Sequence, residues 1–374
     1  MKLAGRATLS LVDGAVPHFP EMVVLGREIF RALVDVLGAD AAVERFSDPF
    51  WVSSLACVLG FEHNTSGQTT VTLKALKHSL AGTDLPVRIL GGKGLEMRRA
   101  QLEAAKVLGE IGVEEAGEIR RVMKLTASVD DAALQDLHDV YFQATIVSET
   151  GKWTVIDQGM NIETLTARRY HWTSEIGASV EEPHAEILSD QSTPIVLDLT
   201  SPASSETRET VLEMLSDSPP SRLNEDLAQA KALLKKQAVL DREYSPPLTE
   251  IPERLLPPQR FDEDTIRRAK YVRKFEELLL TPGCGAATIR GLAYIAVLLY
   301  GSRASWKDPV KFTYAFGTKS GKPYHVNKQA MRQAADILRE VVFVSRLAEA
   351  DKITVLRRLK SFVESLERED SVNH

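Results

Sequence analysis

The run Val140-Tyr141-Phe142-Gln143-Ala144-Thr145-Ile146-Val147-Ser148-Glu149-Thr150-Gly151-Lys152-Trp153-Thr154-Val155-Ile156 decides the fold class of this 374-residue chain. Two segments rich in β-branched and aromatic residues, 141–147 and 153–156, flank five turn formers, which is the pattern of a β-hairpin. An all-helical chain is thereby excluded. Around it, residues 21–37, 50–59, 70–80 and 96–124 repeat apolar side chains at helical spacing. Residues 86–90 read as a strand ending in Gly91-Gly92-Lys93-Gly94, and 194–199 form another apolar run. Strands and helices do not alternate regularly enough for a doubly wound sheet.

Seven of the 17 prolines fall within residues 216–260, around a helical stretch at 224–240. Proline at that density interrupts both helix and strand. The expected architecture is α+β: a mixed N-terminal α/β domain over 1–215, a proline-rich linker with one helix over 216–260, and an all-α domain over 261–374. In the last part, 261–280, 286–300, 327–348 and 351–367 read as helices.

Hydrophobic residues make up 44% and charged residues 26% of the chain, so a wholly disordered or membrane-embedded protein is excluded. Residues 1–10 lack the apolar run of a signal peptide, and no apolar stretch is long enough to span a bilayer. A cytoplasmic location is expected. Cys57 and Cys284 are too few for a disulfide framework or a thiolate zinc site and are read as reduced packing residues.

The net charge is −6, but it is unevenly spread. Residues 281–348 hold ten Lys and Arg against three Asp and Glu, leaving −13 on the remainder. Such asymmetry fits a phosphate-contacting module joined to an acidic partner. Within it, Leu280-Thr281-Pro282-Gly283-Cys284-Gly285-Ala286-Ala287-Thr288-Ile289-Arg290 ends one helix and starts another across a Gly-x-Gly turn. This resembles the helix-hairpin-helix motif of DNA-repair and replication proteins. Glycine permits positive φ and close backbone approach, and a helix start offers unpaired N–H groups to an anion. Gly283, Gly285, Ala287, Arg290, Lys311, Lys319 and Lys322 are the candidate DNA-binding residues, with Phe312, Tyr314, Phe316 and Tyr324 placed to stack on bases. The alternative is an ordinary αα-hairpin.

The resemblance also implies a comparison with base-excision glycosylases, for whose aspartate Asp308 is the candidate. Their lyase lysine falls on Ala287, so a Schiff-base mechanism is not expected. The bland reading of Asp308 is an Asp-Pro turn residue.

Residues 130–184 are dense in groups able to move protons or hold a hard cation. Asp136 and Asp157 are the candidate metal ligands, for Mg or Mn, with Gln158 and His171 as further catalytic candidates. Scattered surface carboxylates are the competing reading. Gly91 to Gly94 suggests a phosphate cradle or a plain tight turn; no nucleotide cofactor is expected, since neither P-loop nor dinucleotide spacing is present. Arg168-Arg169-Tyr170-His171-Trp172 reads as a binding surface or as an aromatic cluster whose arginines pair with Glu175, Glu181 or Glu182.

Cys57-Val58-Leu59-Gly60-Phe61, Ser66-Gly67, Gly91 to Gly94, Ala133-Leu134-Gln135-Asp136, Gln158-Gly159-Met160-Asn161, Arg168 to Trp172 and Asp308-Pro309 together resemble a prokaryotic family of unknown function, number 763. The likeness spans most of the chain and implies no particular activity. The chain departs from that pattern at Glu62 to Thr65, at Phe142-Gln143 and at Phe316 to Gly321. The functional expectation is a DNA-binding protein, a repair or processing nuclease using a divalent metal. The alternatives are a glycosylase without lyase activity and a non-catalytic scaffold.

Overall fold

The computed structural model describes residues 18–60, 66–189, 192–236, 250–310, 312–313 and 328–371. It opens with α1 (Phe19–Leu37), whose apolar stripe buries Met22, Ile29, Phe30 and Leu33. Pro20 suits the first helical turn, where its missing N–H is not needed, and Gly38 at φ 81° ends the helix. After α2 (Ala39–Glu44) comes α3 (Pro49–Val58), capped by Asp48, which accepts from the Phe50 N–H at 2.8 Å. All ten α3 residues are buried, so it is an interior helix without a polar face. Next are α4 (Ser66–Leu80), strand β1 (Val87–Lys93), α5 (Leu95–Gly109) and α6 (Ala116–Ser128). The single helix expected over 96–124 is thus two, parted at a turn where Gly112 adopts φ 81°. A π-helical turn, Val129–Ala133, prolongs α6.

The expected hairpin is β3 (Asp139–Ser148) and β4 (Trp153–Asn161), followed by β5 (Thr166–Thr173) and β6 (Glu186–Ser189). With β1 they form an antiparallel sheet in the order β1-β3-β4-β5-β6. β8 (Phe312–Thr313) adds two parallel pairs beside β6. β2 (Leu134–Gln135) pairs separately with β7 (Leu197–Asp198).

Alternating side chains send the two faces of this sheet into different cores. Val147, Val155, Tyr170, Trp172 and Ile187 pack with α5, α6, α7 (Ser205–Asp217), α8 (Pro220–Lys236), α9 (Glu263–Ala269), α10 (Phe275–Leu280) and α11 (Ala286–Tyr300). Ala144, Ile146 and Ile156 pack instead with α1, α3, α4, α12 (Lys328–Val344) and α13 (Glu349–Ser371). The molecule is therefore α+β, a sheet between two helical layers. The helices beyond residue 260 do not form a core of their own; α11 completes one layer and α12 and α13 the other. The reason is apolar area: a short amphipathic helix buries more of it against the sheet than in a small separate bundle.

Two further differences have local causes. Residues 261–280 form α9 and α10 rather than one helix, because the Glu277 carboxylate accepts from the N–H groups of Arg273 and Lys274 and starts a new helix there. The apolar run 194–199 yields only the two-residue β7. Cys57 and Cys284 are buried, and neither is in a disulfide. No helix among the described residues is long and apolar enough to cross a membrane.

Candidate functional site

The sheet sorts the chemically interesting residues onto opposite faces. Asp157 and Tyr170, paired across β4 and β5, point toward the α6 and α11 layer, as do Arg168 and Trp172; their neighbours Gln158, Arg169 and His171 point toward α3. Asp136, Gln158 and His171 therefore do not form one catalytic constellation. A two-residue period makes adjacent strand residues diverge.

On the first face, Arg168 is fully buried and spends its guanidinium on two carboxylates. Nη1 donates to Asp136 Oδ2 at 2.7 Å and to Asp308 Oδ1 at 2.9 Å, while Nη2 donates to Asp308 Oδ2 at 2.5 Å. Nη2 also reaches Thr193 Oγ1, and Nε reaches Ser189 Oγ. The glutamates expected as partners of Arg168 are not used in these bonds. Asp136 accepts further bonds from the Tyr170 hydroxyl at 2.7 Å and the His138 N–H at 3.0 Å. Burial alone would raise its pKa, but the Arg168 charge and the bonds from His138 and Tyr170 outweigh it and hold the carboxyl well below the usual range.

This arrangement fits a locked structural carboxylate, not a metal ligand or a base: both Asp136 oxygens are already engaged. Asp308 is engaged on both oxygens too, by Arg168, by the Thr193 N–H and by the Val310 N–H. Its place before Pro309 is that of a turn residue whose carboxylate has been recruited to a buried charge.

Beside this triad lies a second acidic pair. Asp130, on the π-helical turn, accepts from Trp172 Nε1 at 3.0 Å and meets His184 Nε2 at 2.5 Å. Burial pushes its pKa well up, with the Asp136 and Asp131 charges adding to it, and burial and the Asp130 charge do the same to Asp157. Both shifts favour the protonated form of the carboxyl. His184 packs edge-on against Trp172, ring centroids 4.7 Å apart, and lines a cleft of about 490 Å³. Asp198, Ser305, Lys307 and Asp308 line the same cleft. Among the described residues no three His, Cys, Asp or Glu side chains are grouped to hold a metal ion.

On the second face Gln158 Nε2 donates to the Tyr141 hydroxyl at 2.6 Å, and Arg169 Nη2 donates to Ser53 Oγ at 3.0 Å. His171 Nδ1 lies 2.8 Å from the Phe46 carbonyl. Burial, with the Arg169 charge adding to it, pulls the His171 pKa down to about 3, so the ring is neutral and acts as a hydrogen-bonding core residue.

The Gly-x-Gly segment forms a tight turn between α10 and α11. Gly283 has φ 94°, and a Cβ there would meet Thr265 Oγ1 of α9 at 2.3 Å, so this glycine allows α9 to pack on the turn. Gly285 has φ −82° and open space around it. Pro282, Gly285 and Ala287 are exposed at the start of α11, and Arg268 clasps the turn by donating to the Pro282 carbonyl at 3.1 and 3.2 Å. Arg290 turns inward, donating to Gln135 Oε1 at 2.6 Å and the Leu256 carbonyl at 2.8 Å. It ties α11 to β2 through these bonds. Lys311, Lys319 and Lys322, like Tyr314, Phe316 and Tyr324, lie outside the described residues.

Arg268, which reaches the turn, belongs to a cationic segment joining α9 to α10, where Lys270, Arg273 and Lys274 flank Tyr271 in sequence; the Tyr271 side chain is 77% exposed. Lys270, Arg273 and Lys274 have no ion-pair partner among the described residues. The sequence carried the signal, five cations in the eight residues 267–274, just ahead of the region counted as basic.

Searches of curated proteins and of solved structures return no match. A family model described as "Protein of unknown function (DUF763)" matches residues 5–326. That span covers most of the sheet, the buried Arg168 triad and the α10–α11 turn, so the chain belongs to this family.

Proposed function

We propose that the chain binds DNA, with the turn between α10 and α11 seated on a backbone phosphate. The observation that carries this reading is the exposed helix start at Gly285 to Ala287, held through Arg268 to the cationic segment that bears Tyr271. A helix N-terminus attracts an anion through its free N–H groups and dipole. Neighbouring lysines and arginines neutralise adjacent phosphates, and an exposed tyrosine supplies a stacking surface for a base. The helix-hairpin-helix resemblance and the cytoplasmic location expected from the sequence belong to this same proposal.

The test is fluorescence anisotropy with labelled duplex and single-stranded oligonucleotides over a salt series. Binding should weaken steeply with salt. Gly285→Val and the triple variant Lys270→Glu/Arg273→Glu/Lys274→Glu should each lose tenfold or more while melting like the wild type. Unchanged affinity in both folded variants would sink the proposal.

A second reading, a DNA-processing enzyme, is favoured by the cleft at His184. Asp130 orients the imidazole there, beside Asp308, Ser305 and Lys307. A divalent cation serving strand cleavage would need ligands other than Asp136. His184→Gln should then abolish cleavage or base release without changing DNA affinity; equal activity in this variant would remove the cleft from consideration.

A further inference from the structure

A groove of about 660 Å³ lies between α1, α4, β1, the start of α5 and β3. Its volume is in the range typical of small-molecule sites. The floor is hydrocarbon: Leu73 from α4, Ile89 and Leu90 from β1, and Phe142 and Ala144 from β3. Among the described residues three lysines line it, Lys74 and Lys77 one turn apart on α4 and Lys93 at the end of β1, against a single carboxylate, Glu96.

The geometry of β1 explains how the groove is built. Gly91 and Gly92 have φ of 112° and 144°, and a Cβ on Gly91 would fall 2.0 Å from the Gln143 carbonyl oxygen. Only glycine lets β1 stay this close to β3 while its end bends. The bend presents the Gly91 carbonyl to Lys77 Nζ, which donates to it at 2.7 Å. The Gly94 N–H donates to the Tyr141 carbonyl at 3.2 Å, so the glycine run is a bent strand end and not a backbone phosphate cradle. Positive charge in the groove comes from ammonium groups. Lys74 is exposed and has no ion-pair partner among the described residues, and Lys93 lies over the Tyr141 ring, 5.9 Å from its centre.

We infer that this groove binds a hydrocarbon chain of medium length that ends in a single anionic group, carboxylate or phosphate. The apolar floor takes the chain, and the surplus of lysines over acid selects the charge of the head. A purine or pyrimidine fits less well, because a base edge needs several side-chain partners and, among the described residues, the polar lining beyond the four charged groups is Thr70, whose hydroxyl donates to the Gly67 carbonyl.

Isothermal titration of the full chain with dodecanoate, dodecyl phosphate and dodecyltrimethylammonium, all below their micelle concentrations, tests this. One equivalent of dodecanoate or dodecyl phosphate should bind, and whichever binds more tightly identifies the head group. Lys74→Glu/Lys93→Glu should weaken binding at least tenfold, and Val71→Trp, which fills the groove from α4, should abolish it. Should the tryptophan variant fail to fold, the exposed lysine pair still decides the matter. Equal binding of the cationic amphiphile, no saturable binding of either anion, or wild-type affinity in the folded lysine variant would overturn the inference. None of these residues belongs to the α10–α11 turn, so failure here and failure of DNA binding are separable.

Discussion

Arg168 grips Asp308 through both arms of its guanidinium, joining β5 to a turn 140 residues further along the chain. Both side chains are almost fully shielded from solvent, and Asp136 adds a second carboxylate from a third segment. Removing the cation would leave two carboxylates buried without compensation. Arg168→Ala should destabilise the protein by about 3–5 kcal/mol, measured by urea unfolding. Asp308→Asn, which leaves the Arg168–Asp136 pair in place, should cost less than Arg168→Ala. Equal losses in the two variants would contradict this account of the triad.

The two glycines of the α10–α11 turn should behave differently. Gly283→Val places a Cβ against Thr265 at a positive φ and should lower stability by about 2 kcal/mol or more. Gly285→Val enters open space at an extended φ, and its melting temperature should stay within a few degrees of wild type. Thermal melts of the two single variants check this directly.

His171 carries a pH signature. Its pKa falls from 6.5 in the unfolded chain to about 3 in the fold, so its contribution is present above pH 6.5 and is lost as pH falls toward 3. In that window the unfolded chain binds the extra proton, and stability declines by about 1.4 kcal/mol per pH unit from this group alone. His171→Asn can keep a donor near Phe46 and should flatten the curve by that amount between pH 4 and 6. Chemical denaturation at half-unit pH steps reads the difference, and parallel curves would refute it.

Asp157 should act in the opposite sense. Its folded pKa is raised, so its contribution is fully present below the unfolded value of 3.8 and is lost as pH rises above it. Relative to wild type, Asp157→Asn should therefore gain stability from pH 4 to pH 7, by about 1 kcal/mol or more. A constant difference across that range would show that Asp157 is charged in the fold.

What the sequence revealed follows the range of the forces involved. The β3–β4 hairpin was legible because turn chemistry and strand patterning are local, and α1 and α11 because their apolar repeats are strong. The division of residues 261–280 depended on one glutamate capping backwards, a signal masked by continuous apolar spacing. The Arg168 triad was hidden for another reason: Asp136, Arg168 and Asp308 are each unremarkable locally, and only the fold brings them together. Gln158 and His171 belong to the same polar stretch of sequence as Asp136, whereas the pleat sends them to the other side of the sheet. The cations at 267–274 are legible in the sequence, but they precede the glycine turn and so lie outside the basic stretch 281–348.

The bond between Arg168 and Asp308 also sets an order of events during synthesis. A chain still short of residue 308 has made every strand of the antiparallel sheet but holds Arg168 with only one of its two carboxylates. The half-made protein cannot be sealed off as a finished unit, and cutting the gene at the proline-rich segment would release a fragment whose Arg168 keeps Asp136 but lacks the hydrogen bonds to Asp308. Quality control by proteases should thus recognise truncated products readily, and maturation of the sheet waits for a segment translated well after it.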